Sequence, residues 1–168
     1  WRPLEIVVVD DGSTDGSGEW LQEQAERGRL RLLRQANRGQ GCALNAGIRM
    51  VRGSYLQFLD ADDLLGAEKI ERQMQRIAGR EDLVASAEWA RFYGDDPASA
   101  RFEGEPCWRD LAPMDWLAAA WHDGGGMMFP ALWLLPRALV ERAGPWAEDL
   151  SINIDGEYFA RALTHATQ

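Results

Sequence analysis

The chain has 168 residues, 46% of them hydrophobic and 27% charged, with a formal net charge of −9. That length suits one domain with a real core, the composition is that of a soluble globular protein, and no stretch approaches the ~20 unbroken apolar residues of a membrane span. The negative balance argues against a phosphate-tracking nucleic-acid face, and a negatively charged small ligand would need a cation to help hold it.

The chain opens with "LEIVVVDDGSTDGS". Leu4 to Val9 is a nearly continuous β-branched run, which reads as a strand buried on both faces of a parallel sheet. It breaks at the turn Asp10-Asp11-Gly12. Ser13, Thr14, Asp15 and Ser17 then offer helix N-caps. A helix is expected over about Gly18 to Glu26, with Trp20, Leu21 and Ala25 inward. Arg29 to Arg34 reads as a second strand. In "NRGQGCALNAGIRMVRG", Ala43, Leu44, Gly47, Ile48 and Val51 recur at helical spacing, and Gly53 ends the helix. "SYLQFLD" is the third strand. "DLLGAEKIERQMQRIAG" is the third helix, with Leu64, Ile70, Met74 and Ile77 on one face, and "DLVASAEWARF" is a fourth strand.

Strand and helix therefore alternate through the first half, the pattern of a doubly wound, mainly parallel α/β sheet flanked by helices. Ligands of such sheets bind beyond the carboxyl ends of the strands. Asp10, Asp11, Asp60 and Asp62 all fall at those ends. The second half is less regular. Gly94 to Pro106 is a polar loop, and Asp115 to Trp121 is a helical segment. Gly124-Gly125-Gly126 either lets backbone approach a bound ligand closely or forms an ordinary loop. "ALWLL" reads as a strand and "PRALVERAG" as a short helix opened by Pro136. "IDGEYFARAL" is a last helix, started or capped near Asp155. Cys42 and Cys107 lack metal-ligand spacing and fit thiols in a reducing compartment. His122 and His165 stand alone and read as structural. Trp116, Trp121 and Trp133 either stack on a ligand or fill the core.

"YLQFLDADDLL" places three carboxylates, Asp60, Asp62 and Asp63, in four positions after an apolar run. Extended residues two apart face the same way, so Asp60 and Asp62 can share one hard divalent ion; Mg²⁺ and Mn²⁺ prefer oxygen ligands. Capping is the other reading. It suits Asp63 before a helix starting near Leu64, and it leaves Asp60 unexplained.

Together, "EIVVVDDGSTDGS", "NRGQGCALNAGI", "GSYLQFLDADD" and "AGPWAEDLSINIDGEYFARAL" resemble the family 2 glycosyltransferases, the inverting type with a GT-A fold. The resemblance covers nearly the whole chain, most strongly Leu4 to Leu65 and Gly144 to Leu163. It implies a single domain over 1–168, with a nucleotide-sugar-binding half (1–93) and an acceptor-side half (94–168). Relatives carry one more strand and helix before the position of Trp1 and usually continue past Gln168. The resemblance thus implies truncation at both ends, and weak or absent donor binding by this chain alone.

Residue by residue, the resemblance makes Asp11 the acceptor of a hydrogen bond from a uracil-type base. Asp10 shapes that pocket or holds the turn. Asp62 is the metal ligand, for Mn²⁺ or Mg²⁺. Asp60 contacts the ribose or the metal's water, and Asp155 is the catalytic base, with Glu157 as its competitor. Arg38 is either the cation facing the diphosphate or a solvated surface residue. The implied activity is metal-dependent, inverting transfer of a sugar from a nucleotide-sugar, of UDP type, to a hydroxyl of a saccharide, lipid or protein. The implied location is cytoplasmic, with membrane association open for a longer protein. One rival is a nucleotidyltransferase on a similar scaffold, disfavoured because "DDGSTDG" is acidic where a triphosphate would need a basic loop. A phosphatase using "LDADD" lacks partner residues. A non-catalytic nucleotide-binding or interaction module is the third rival.

Overall fold

The computed structural model describes residues 3–77, 79–94, 96–122 and 128–167. The chain packs as two compact units, Trp1–Ser54 with Gly144–Ile154, and Tyr55–Ala143 with Asp155–Gln168. The glycine run Gly124–Gly126 lies outside the described residues.

In the first unit, β1 (Val7–Asp10), α1 (Ser17–Glu26), β2 (Arg31–Arg34) and α2 (Gln40–Met50) follow one another. β1 and β2 pair in parallel, from Val7 opposite Arg31 to Asp10 opposite Arg34. A parallel pair needs a crossover, which α1 supplies. β1 is shorter than its apolar run. Leu4 is 60% and Ile6 48% exposed, so this run is not buried on both faces. α1 also differs from its expected orientation: Trp20 is 61% exposed and Gln24 is buried, its side-chain carbonyl accepting from Arg29 at 2.7 Å. No side chain caps α1; Gly16 takes the N-cap position with φ +90°, and Asp15 accepts from the Ser17 N–H just beside it. On α2 the buried residues are Gly41, Cys42, Asn45 and Ala46. The buried stripe is thus displaced from the expected one, because the 145–148 segment packs on that face. Asn45 donates to the Trp146 carbonyl at 2.9 Å and accepts from the Trp146 N–H at 2.8 Å.

In the second unit, β3 (Tyr55–Gln57) pairs antiparallel with β4 (Leu134–Pro136). The expected fourth strand is reduced to one bridge, Ala85 with Leu134; the rest of 82–92 is irregular. α3 (Lys69–Ile77) starts later than its apolar pattern, with Leu64 63% exposed. Asp63 is therefore not its cap. Its N–H instead closes a turn onto the Asp60 carbonyl at 3.2 Å. α4 (Pro113–Ala120), α5 (Arg137–Ala143) and, from Asp155 on, α6 (Ile154–Leu163) follow. Pro136 ends β4 and does not open α5.

The core of this unit is aromatic. Trp133, Tyr158, Phe159, Leu135 and Leu139 are at most 1% exposed. Trp133 stacks on Phe159 at 5.2 Å and meets Trp116 edge-on at 4.7 Å. Each such side chain contributes roughly 1.5–3 kcal/mol on burial, and this accounts for Trp116 and Trp133 as core residues, not sugar-stacking ones. Trp121 is 46% exposed.

Candidate active site

Two sets of acidic side chains follow strand ends, one in each unit. In the first unit, Asp10 is the last residue of β1 and is buried. Its Oδ1 accepts from the Ser13 N–H at 2.9 Å and its Oδ2 from Arg34 Nε at 3.1 Å. Those hydrogen bonds, that of Ser13 foremost, hold the carboxyl below its ordinary range. Asp10 therefore fixes the turn. Asp11 collects the next loop: Gln35 Nε2 donates to it at 2.7 Å, the Arg38 N–H at 3.0 Å and the Gly39 N–H at 2.8 Å. Burial pushes the Asp11 carboxyl up, but these donors outweigh it and leave it lowered. The intervening turn depends on Gly12, at φ +87°, where a Cβ would meet the Asn37 nitrogen at 2.8 Å. Arg38 is exposed near the end of this loop, just before the α2 N-cap Gly39, its backbone held by Asp11.

In the second unit, Asp60, Asp62 and Asp63 follow β3, with Asp62 exposed and the other two half-buried. Asp155 lies in the first turn of α6. Its Oδ1 is buried and accepts no hydrogen bond. Burial, then the charges of Asp60 and Asp63, push this carboxyl up to about 6. Burial, then the charge of Asp62, also raises Asp63. The structure thus brings Asp60, Asp63 and Asp155 into one electrostatic neighbourhood. Glu157 is different. Arg161 binds it through two hydrogen bonds at 2.7 and 2.8 Å, and these lower its carboxyl.

The donor chemistry fits a hard divalent cation. Asp60 and Asp62 offer carboxylate oxygens, and Mg²⁺ usually takes only one or two carboxylates beside substrate phosphates. The orphaned Oδ1 of Asp155 and the crowded like charges show a surplus of negative charge there. Among the described residues, no three Asp, Glu, His or Cys side chains are placed as a complete ligand set.

The second unit also holds a cavity of about 1780 Å³, lined among others by Asp62, Asp63, Lys69, Trp89, Trp108 and Phe129. Beside it runs a polar network absent from the sequence reading. Lys69 Nζ donates to Gln57 Oε1 at 2.5 Å and to Gln73 Oε1 at 2.7 Å. Gln73 Nε2 in turn donates to the Ala85 and Leu132 carbonyls at 2.9 and 3.0 Å. Gln57 Nε2 donates to the Pro130 and Ala131 carbonyls at 3.2 Å. A signal existed in the sequence: Gln57 interrupts an apolar strand, and Lys69 is the single lysine of a chain with 18 Lys and Arg together.

The profile described as glycosyl transferase family 2 matches residues 1–142. The uncharacterized glycosyltransferase YibD of Escherichia coli K12 is 48% identical over 93 residues, covering 53% of this chain and 27% of that protein. A chondroitin synthase of E. coli is 44% identical over 81 residues, covering 48% of this chain and 12% of that protein. The crystal structure of S. aureus TarS 1-349 superposes with a TM-score of 0.73 at 19% identity, over 96% of this chain and 46% of that one; it shares the fold. The matched stretch spans 20% to 27% of the length of the first curated relatives. With a mixed α/β fold and a profile match over most of its length, the chain belongs to glycosyl transferase family 2.

Proposed function

We propose that this chain is the catalytic domain of an inverting glycosyltransferase that moves a sugar from a nucleotide-sugar, of UDP type, to a hydroxyl of a saccharide, lipid or protein acceptor. The observation that carries the reading is the buried, unpartnered Oδ1 of Asp155 in the neighbourhood of Asp60 and Asp63. Burial and the charges of Asp60 and Asp63 make this carboxylate more basic than an ordinary one, which suits it to take the proton of an attacking hydroxyl. Glu157 has its oxygens occupied by Arg161, which favours Asp155 as the base.

The chemistry then follows from the residues. The acceptor oxygen, deprotonated by Asp155, attacks the anomeric carbon, and the bond to the nucleoside diphosphate breaks. Mn²⁺ or Mg²⁺ held by Asp62, with Asp60 at its water or the ribose, would supply charge stabilisation for the leaving diphosphate. Asp11 and the loop it orders receive the base, Asp10 fixes the turn beneath, and Arg38 is the cation nearest that loop in sequence. The free thiols Cys42 and Cys107 suit a reducing, cytoplasmic setting. Among the described residues no helix is long and apolar enough to cross a membrane.

The test is a donor screen on the protein at its full natural length, with and without a chelator, and with Asp62→Ala. Turnover of a UDP-sugar, lost on chelation and reduced at least about a hundredfold by Asp62→Ala, is the expected result. Absence of turnover with every nucleotide-sugar sinks the transferase reading; turnover indifferent to chelation sinks the metal.

A further inference from the structure

Lys69 is a half-buried charged group that the transfer chemistry above does not use. It is half-buried at the start of α3 and lines the cavity of the second unit. Two of its three N–H directions are filled by neutral amide oxygens, those of Gln57 and Gln73. Both glutamines are themselves locked by backbone carbonyls of 85 and 130–132, so the ammonium is held in place by a rigid frame. Other charged groups line the same cavity. Glu68 is engaged by Arg72 at 2.6 Å, and Arg76 by Asp110. Asp62, Asp63 and Glu88 also line it, yet burial alone accounts for the lowering of the Lys69 ammonium to about 8. No described carboxylate neutralises it.

A half-buried cation without a counter-ion is costly unless something supplies the opposite charge. We propose that Lys69, framed by Gln57 and Gln73, is an anion-recognition group that holds a carboxylate or phosphate group of an acidic saccharide seated in this cavity. The third N–H of the ammonium makes the contact. The saccharide is argued from the rest of the lining. Trp89 and Phe129 meet edge-on at 5.0 Å, and such rings offer apolar faces to the C–H faces of a sugar. The cavity, of about 1780 Å³, is large enough to admit a sugar ring. That this saccharide is the acceptor rests on the proposed glycosyl transfer; the binding itself does not.

Because Lys69 is the single lysine of this 168-residue chain, the chain with lysine labelled with ¹³C at the ε-carbon gives one side-chain signal, which reports the ammonium directly. The signal is titrated over pH alone and with glucuronate, glucose 6-phosphate, glucose or inorganic phosphate. The expected result is a saturable shift with one or both acidic sugars, with the apparent pKa raised by about one unit. The sugar that produces the shift identifies the group. Glucose should leave the signal in place. Lys69→Met should weaken binding of the active sugar about tenfold or more, and Lys69→Arg should retain part of it. Glucose matching the acidic sugars, or no shift with any of them, overturns the proposal. Inorganic phosphate binding as tightly as the sugars overturns the saccharide assignment. If Lys69→Met fails to fold, the wild-type titration still decides. A negative result here leaves the donor screen untouched, so the two readings fail separately.

Discussion

Asn45 shows what one buried amide does. It satisfies both backbone groups of Trp146 and donates to Glu148 at 3.0 Å. Asn45→Ala leaves a buried N–H and C=O unpaired, and we expect a loss of about 2–4 kcal/mol by urea denaturation; a change below about 0.5 kcal/mol would contradict this account. Nothing near Asn45 in the sequence announces that role, because its partners lie 101 and 103 residues away. The carboxylates were more legible. Asp10, Asp11, Asp60 and Asp62 stand where apolar runs end, a local signal. Their duties were less so. Asp10 is taken up by Ser13 and Arg34, and Asp63 shares a charge neighbourhood where capping was expected. Asp155 and Glu157 differ through Arg161, one helical turn beyond Glu157, which binds Glu157, whereas Asp155 Oδ1 accepts no hydrogen bond.

Helix α2 packs so closely on the 145–148 segment that position 41 admits no side chain. A Cβ there would meet the Ala147 carbonyl oxygen at 2.5 Å and the Ile154 side chain at 3.0 Å. Backbone cannot yield as a flexible side chain does. Gly41→Ala is therefore expected to lower stability by about 1–3 kcal/mol despite its better helix propensity, as a depressed melting temperature. A rise would show that this face of α2 is looser than drawn. Elements with strong periodicity, α2 and α6 among them, were legible to within a few residues. The buried stripe of α2 was not, since a segment about 100 residues later decides which face is covered. "DLVASAEWARF" failed as a strand for a related reason. Only Ala85 finds a partner strand, at Leu134, and β propensity cannot supply hydrogen-bond partners that the topology withholds.

For the molecule as a whole, alternation of strand and helix made the α/β class readable, while the irregular run from 82 to 94 packs through contacts such as Trp89 against Phe129 that no period encodes. One tie there couples distant chain segments to pH. Asp82 accepts from Arg80 at 2.8 Å and from Thr167 Oγ1 at 2.7 Å, and these two, Arg80 first, hold its carboxyl far below its ordinary value of 3.8. The folded value is depressed, so the stabilisation is complete above about pH 4 and fades as pH falls towards the folded value. Asp82→Asn should lower the melting temperature at pH 7, with the difference from wild type narrowing below pH 4. A difference that stays constant with pH would remove Asp82 from the acid response.

The central claim is that Asp155 takes the acceptor's proton in a family 2 transferase. The most direct measurement compares Asp155→Asn and Glu157→Gln with wild type at full natural length, recording both sugar transfer and UDP affinity. We predict that Asp155→Asn cuts turnover at least about a hundredfold with UDP affinity within about threefold of wild type, and that Glu157→Gln retains most of its turnover. Undiminished transfer by Asp155→Asn would contradict the account.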